Sequence, residues 1–502
     1  FTAAQTPYLT FQQGSATDIA KWTVNFWLKR ADPVVASDDY DTVWGVNGPG
    51  NTAFTFLYGQ LYLFINYADT GGQARLISNR RFLDTSAWYN FHVSFDRANS
   101  TNAHKVRFYV NGVEETSFAT DERNLIDSNT STGWNVNTIT AAINRMSAAQ
   151  DSRYHNGYLA QFYNIDGAVV APTEFAQVGS NGYWVPKTYT GSYGNNGWLL
   201  EFKQTNVGTG ASNTVGADTS GNNNHWTSVN VESHDRMLDS PTQNFATLVP
   251  MSNIALSEGN LKMTTSRTGN WDGTIGNFSV TSGKWYYEVR MSATEGTFRC
   301  VAGWQGNQAS QTVTYNGQGG SSSPYNTLFY NYQVSSHTTY FYKDGGTDGT
   351  TTAPSSGDVI NIAVDFDAGK IWFGVNGTYY ANDGGTDGNP GAGTNESLSG
   401  IDLTASEYVP AFHIRSDSST GGNVMIVNFG QEGTFVGTET AGGNSDANGV
   451  GNFFNAVPSG FLALASSNLP DLTIGPGQSS QADDHFNTVL WSGNGSTQSI
   501  TG

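Results

Sequence analysis

Cysteine is almost absent from this chain of 502 residues: there is one, Cys300. No internal disulfide can form, so stability has to come from packing, and a buried, inert thiol in the strand-like run TFRCVAGW (297 to 304) is the reading that fits. Basic charge is scarce too, with 23 Lys and Arg against 42 Asp and Glu and a formal net charge of −19. A field of that sign repels polyphosphates, which argues against nucleic acid and an anionic membrane as partners, and it serves solubility as readily as any function. No run of about eighteen apolar residues occurs, so no segment reads as a membrane-spanning helix. No signal peptide is visible and the chain does not begin with Met, which reads as a trimmed or processed start.

Hydrolytic signatures are missing as well. Glycan hydrolases of the jelly-roll type carry two carboxylates on one strand face with a third acid between them. Here Glu201 stands alone in WLLEF, Glu288 stands alone in YYEVR, and Glu114 and Glu115 are neighbours on opposite faces just past a turn. There is no Gly-x-Ser-x-Gly elbow. The eight His are scattered without the spacing of a transition-metal site, and His413, in YVPAFHIRS, reads as a hydrogen-bonded structural residue.

What is present is an all-β composition. Fifty-nine Gly and only 13% charged residues, with many Asn, Ser and Thr, describe short strands joined by turns. One pattern occurs twice. Residues 105 to 112 read KVRFYVNG and 370 to 377 read KIWFGVNG, each preceded by an alternating run: Phe91, Val93 and Phe95, then Ile360, Ile362, Val364 and Phe366. A period of two makes each unit a half-buried antiparallel strand pair, and Asn-Gly supplies the positive φ angles of a tight hairpin turn. Two such units, in a chain long enough for two to four domains, predict two separate β-sandwiches.

The first spans residues 1 to 180. Trp22, Val24, Phe26 and Leu28 alternate with Thr23, Asn25, Trp27 and Lys29, followed by TAFTFLYG, QLYLFINY and NGYLAQFYNIDGAVV, where Asp166-Gly167 ends a strand. Ala171 to Phe175 reads as one helical turn. The order of WTVNFWLK, WYNFHVSFD, VRFYVNG and GYLAQFYNIDG resembles the laminin-G-like branch of the concanavalin-A-like jelly rolls. Residues 181 to 255 change to a Gly/Asn-rich extended connector. Residues 256 to 432 follow the landmark order of a SPRY domain: GKWYYEVRM, CVAGW, DVINIAVDFDAGKIWFGVNG, YVPAFHI and VMIVNFGQ. SPRY domains are in general interaction modules, although the loops here match no known partner pattern. Connector composition returns from 433 to 485, with an apolar patch at 457 to 470 suited to docking on a neighbouring sandwich. Residues 486 to 502 read as a hairpin that starts a further domain or pairs with another chain.

The connector phrases GSYGNNGWLLEF, GADTSGNNNHWT and SPTQNFATLVP resemble tail-fibre and other virion-surface proteins of bacteriophages, particularly marine and cyanobacterial ones. That resemblance implies a non-enzymatic structural and adhesive protein on the virion surface, a homo-oligomer with a trimer favoured. Its partners would be other virion proteins and a host-surface glycan or receptor. A secreted or cell-surface bacterial carbohydrate-binding protein and, behind it, a glycan depolymerase are the alternatives.

Candidate binding residues follow from this reading. Trp184, Trp226, Tyr325 and Tyr330 lie in loops or connectors where an aromatic face could stack on a sugar, although most aromatics of a sandwich are core. The motif DGGTDG occurs at 344 to 349 and 383 to 388, so Asp344, Asp348, Asp383 and Asp387 are candidate calcium ligands; hairpin corners explain the same residues. If 338 to 382 is a meander, three strands separate the copies and place them at opposite ends of the sandwich. Asp38, Asp39 and Asp41 form another acidic loop with the same two readings.

Overall fold

The two repeated stretches close the same kind of hairpin. Asn111 and Gly112 have φ of 49° and 76°, and Asn376 and Gly377 have 49° and 84°, the positive pair a two-residue turn needs to match the twist of its strands. In both copies the turn Asn also reaches back to the preceding strand. Asn111 Oδ1 accepts from the Asn90 N–H at 2.8 Å, and Asn376 Oδ1 accepts from the Val359 N–H at 2.9 Å. The paired strands stand in the alternating register, with Phe91, Val93 and Phe95 opposite Val110, Phe108 and Val106. Ile360, Ile362 and Val364 likewise face Val375, Phe373 and Ile371.

The computed structural model describes residues 6–32, 40–46, 51–66, 74–146, 154–180, 182–251, 254–265, 271–292, 298–306, 327–333, 338–343, 346–351, 354–401, 407–416 and 423–470. Among these, an eight-stranded and a six-stranded antiparallel sheet face each other in the first sandwich, and a nine-stranded and a six-stranded sheet in the second. The fold is all-β, and the α-helix among the described residues is a single turn, Asn102–Lys105. Pro172–Glu174 forms the expected helical turn, of the tighter 3-10 kind. Trp22, Val24, Phe26 and Leu28 are fully buried, and Phe26 meets Phe54, Phe91 and Phe162 at centroid distances of 5.2, 5.7 and 4.8 Å. Contacts of this kind add to the burial of ring area that dominates a sandwich core.

The Gly/Asn-rich stretch at 181 to 255 does more than connect. It adds Trp198–Leu200 to the six-stranded sheet beside Gly157–Asp166, and Thr227–Val229 to the eight-stranded sheet beside Tyr8–Gln12. Trp198, Leu200 and Trp226 belong to the first core, so much of this stretch completes the first sandwich. In the second, residues 453 to 465 cover the outer face of the nine-stranded sheet, where Phe453, Phe461 and Ala463 pack with Phe245, Tyr286 and Trp372. Leu462–Ala463 joins that sheet parallel to Lys284–Ser292. The apolar patch at 457 to 470 therefore docks on the sandwich of its own chain. The hairpin expected at 486 to 502 lies outside the described residues.

The sandwiches meet at a buried ion pair. Alternation along Lys21–Arg30 reads as one core face and one polar face, yet every residue from Trp22 to Arg30 is buried. The second face is covered by the chain around Asp239. Lys29 Nζ donates to Asp239 Oδ2 at 2.9 Å, Asn244 Oδ1 at 2.7 Å and the Phe245 carbonyl at 3.1 Å, which satisfies all three ammonium hydrogens. Trp88 Nε1 donates to the other Asp239 oxygen at 2.8 Å. Phe245 sits in the apolar layer over the second sandwich, so the pair links both domains. Alongside it, Tyr158 Oη donates to the Gly259 carbonyl at 2.6 Å, and Asn260 Nδ2 donates to the Ala31 carbonyl at 2.6 Å. Replacing Lys29 by Met strands the Asp239 carboxylate in a dry environment. Urea unfolding should show a loss of roughly 3–5 kcal/mol, much of it restored in a Lys29→Met/Asp239→Leu double variant; a single variant as stable as the parent would remove the pair from this role.

Candidate functional site

Beside that ion pair, between the two sandwiches, lies a cavity of about 450 Å³, within the size range of small-ligand sites. Strand Gly157–Asp166 forms one wall. It keeps register with Lys21–Arg30 up to Ala160 and resumes it only at Tyr163. Gln161 stands in this bulge with φ of 45°, and its side-chain Oε1 is buried without a hydrogen-bond partner. A second wall residue, Phe202, follows strand Trp198–Leu200 with φ of 53°. Left-handed backbone at a non-glycine costs on the order of 1 kcal/mol or more and gathers at ligand sites. Both residues line the cavity, so two left-handed, strained positions meet at the same space.

The rim is charged. Lys203 pairs with Glu201 on one side, and Asp235 and Glu258 lie on another. Burial, followed by the negative charge of Asp235, pushes the Glu258 carboxyl up, while His234 and Lys262 pull it down. Asp239 is likewise pushed up by burial, against the charge of Lys29.

The aromatic candidates from sequence stand elsewhere. Trp226 is fully buried, with Phe11 at 5.6 Å and Trp198 at 4.9 Å between ring centroids, so it has no free face for a sugar. Trp184 is half-buried over the first hairpin turn: a Cβ on Gly112 would come within 2.8 Å of its ring, and its Nε1 donates to Asn90 Oδ1 at 3.1 Å. Tyr330 is on strand Thr327–Gln333, paired with Ala302 and Phe341, and not in a loop. Tyr325 lies outside the described residues.

The acidic candidates divide in a similar way. Asp344, Asp38 and Asp39 lie outside the described residues, and Asp348 is on strand Gly346–Thr351. Asp383 and Asp387 are exposed; Asp383 Oδ1 accepts from the Gly385 N–H at 2.9 Å, and Asp387 Oδ2 accepts from Asn395 Nδ2 at 2.9 Å. The two DGGTDG copies are not at opposite ends: a Cβ on Gly349 would lie 2.4 Å from the Asn382 carbonyl oxygen. The end of the first copy is itself strand, so four strands separate the turns, and an even number returns the chain to the end it left. Nor is 338 to 382 one meander, because the chain changes sheets between Gly346–Thr351 and Val359–Asp365. Asp41 is buried between Arg30 Nη2 at 2.8 Å and His155 Nδ1 at 2.7 Å. Burial alone would raise its carboxyl, but those two partners hold it below its usual value, so it is a core ion-pair residue.

The remaining chemical side chains are paired or buried. Glu114 pairs with Arg107. Cys300 is buried, which raises its thiol, and burial pushes His413 down to about 3, so it is neutral. Glu288 lies in the nine-stranded sheet and accepts from Tyr286 Oη at 2.8 Å, Asn428 Nδ2 at 3.2 Å and the N–H groups of Phe454 and Asn455 at 2.9 and 2.7 Å.

Against this geometry, residues 284–385 match the family model of the SPRY domain. The matched residues lie within the second sandwich. Among solved structures, the chain is similar to the SPRY domain of human HERC1, at 19% identity over 36% of this chain and 92% of that one, with a TM-score of 0.23. It is also similar to a heptameric SAP-like pentraxin from Limulus polyphemus, at 14% identity over 33% and 71% of the two chains and a TM-score of 0.25. A third is the PSpry domain of TRIM65, at 12% identity over 36% and 88% and a TM-score of 0.26. No curated protein matches the chain.

Burial pushes the Glu288 carboxyl from its usual 4.5 up to about 7, against the pull of its four donors. Because the folded value is the higher one, its stabilising contribution is complete below pH 4.5 and is lost as the pH rises through about 7. The expected decline is about 3 kcal/mol over that range. Unfolding measured from pH 4.5 to 8 should show this slope in the parent and not in Glu288→Gln; parallel profiles would mean that the carboxyl stays ionised throughout.

Proposed function

We propose that this chain is a non-enzymatic adhesive protein of a bacteriophage virion, and that its seam cavity takes a host-surface glycan. The observation that carries the reading is a seam cavity lined by two strained residues, Gln161 in its bulge and Phe202, which offer it an amide-bearing and an aromatic side chain. An amide acceptor meets sugar hydroxyls, and an aromatic ring meets the apolar face of a pyranose. The SPRY match and the Gly/Asn-rich phrases support a binding module carried on the virion surface. In this reading the chain assembles as a homotrimer with other virion proteins, so that weak sites gain avidity through repetition.

Gln161→Ala removes the acceptor and leaves the cavity open. In a titration with host-surface polysaccharide it should weaken binding by roughly tenfold, the worth of one hydrogen bond, without lowering the unfolding midpoint. Unchanged affinity would move the glycan elsewhere. A fall in polysaccharide chain length on incubation would replace the adhesive reading with a depolymerase. Sedimentation of a single 53.9 kDa chain would remove the trimer.

A further inference from the structure

We propose that His234, Asp235 and Glu258 bind a divalent transition-metal ion of the zinc class at the seam between the two sandwiches. One ligand atom from each of these residues lies within 4.8 Å of the others. His234 belongs to the 3-10 turn Ser233–Asp235 and is 7% exposed. Its Nδ1 lies 3.4 Å from Glu232 Oε2, while its Nε2 is buried with no hydrogen-bond partner. A buried ring nitrogen left without a partner is costly. Glu232 adds negative charge beside Nδ1, and a ring nitrogen with no partner of its own keeps a lone pair for an ion.

The two carboxylates are placed by the chain around them. Asp235 commits Oδ2 to the Glu232 N–H at 2.8 Å, and its other oxygen meets no donor among the described residues. Glu258 stands at the turn between strands Ala255–Ser257 and Lys262–Thr264, with φ of 55°. The first sandwich grips that turn through Tyr158 and Ala31. The ligands thus come from two separate stretches of chain and are held by contacts that do not need the metal.

One imidazole and two carboxylates suit zinc and its first-row neighbours, whereas calcium takes oxygen ligands throughout. Three protein ligands leave a fourth tetrahedral position. Asp235 and Glu258 also line the cavity, which provides a path for entry. The site would staple the seam whether or not the cavity holds a glycan.

The test is calorimetric titration of the chelator-stripped full chain with zinc, with metal content measured by mass spectrometry. One zinc per chain is expected, together with a higher unfolding midpoint. His234→Ala and Asp235→Asn should both lose the ion; Asp235→Asn retains an acceptor for the Glu232 N–H and so stays folded. Glu232→Gln should weaken binding by about tenfold, and Asp383→Asn/Asp387→Asn should leave it unchanged. No zinc bound by the parent, undiminished binding in folded Asp235→Asn, or calcium preferred at these residues would overturn the proposal.

Discussion

Backbone N–H groups in irregular chain need acceptors, and in this protein carboxylates with little or no exposure supply them. Asp166 accepts from the N–H groups of Thr17 and Asn196 at 2.7 and 3.1 Å. Asp218 accepts from those of Leu199, Ser220 and Asn224 at 2.9, 2.8 and 2.9 Å, and Asp446 from those of Asn448, Val450 and Ala463 at 2.9 Å each. Glu432 holds the N–H groups of Thr434 and Val436 at 2.7 Å. An ionised carboxylate has several lone pairs and makes stronger hydrogen bonds than a neutral acceptor, so one side chain can order a whole Gly/Asn turn. The acidity of the chain thus has a structural use besides solubility.

Covering segments ordered in this way change the sheets beneath them. Lys21–Arg30 and Lys284–Ser292 are strands whose outer faces would be wet in a bare sandwich. Here Lys29 on the outer face of the first is paired with Asp239, and on that of the second Glu288 accepts from the Phe454 N–H beneath the layer around Phe453. The same added layer brings chain from 233 to 259 between the domains. It creates the seam where the strained Gln161, the Phe202 ring and the His234 cluster all lie, so the candidate chemistry belongs to the junction and not to the loop tips of either sandwich.

Much of the fold was legible because its signals are local. Asn111-Gly112 and Asn376-Gly377 state their turn type, and the alternating runs beside them state which face is buried. The candidate site was far less legible. Gln161 sits in GYLAQFYNID as an ordinary outward polar residue, and its left-handed backbone lies at a register shift against the distant strand Lys21–Arg30. Trp226 misled in the opposite sense: a Gly/Asn-rich context reads as loop, but pairing of Tyr8 with Val229 draws that stretch into the first core. The second half of the first DGGTDG looks like a turn and is strand, which altered the count that placed the two copies.

The amino-acid sequence by itself determined the fold class, the two hairpin centres, the SPRY landmarks and the inert cysteine, because periodicity, turn chemistry and composition act over a few residues at a time. Tertiary structure alone decided that the polar segments cover the sheets, that Lys29 is buried against Asp239, and that Gln161, Phe202 and His234 share a seam. Those outcomes depend on which distant groups meet, and a buried charge or a strained residue is tolerated only where the surrounding chain supplies its partners.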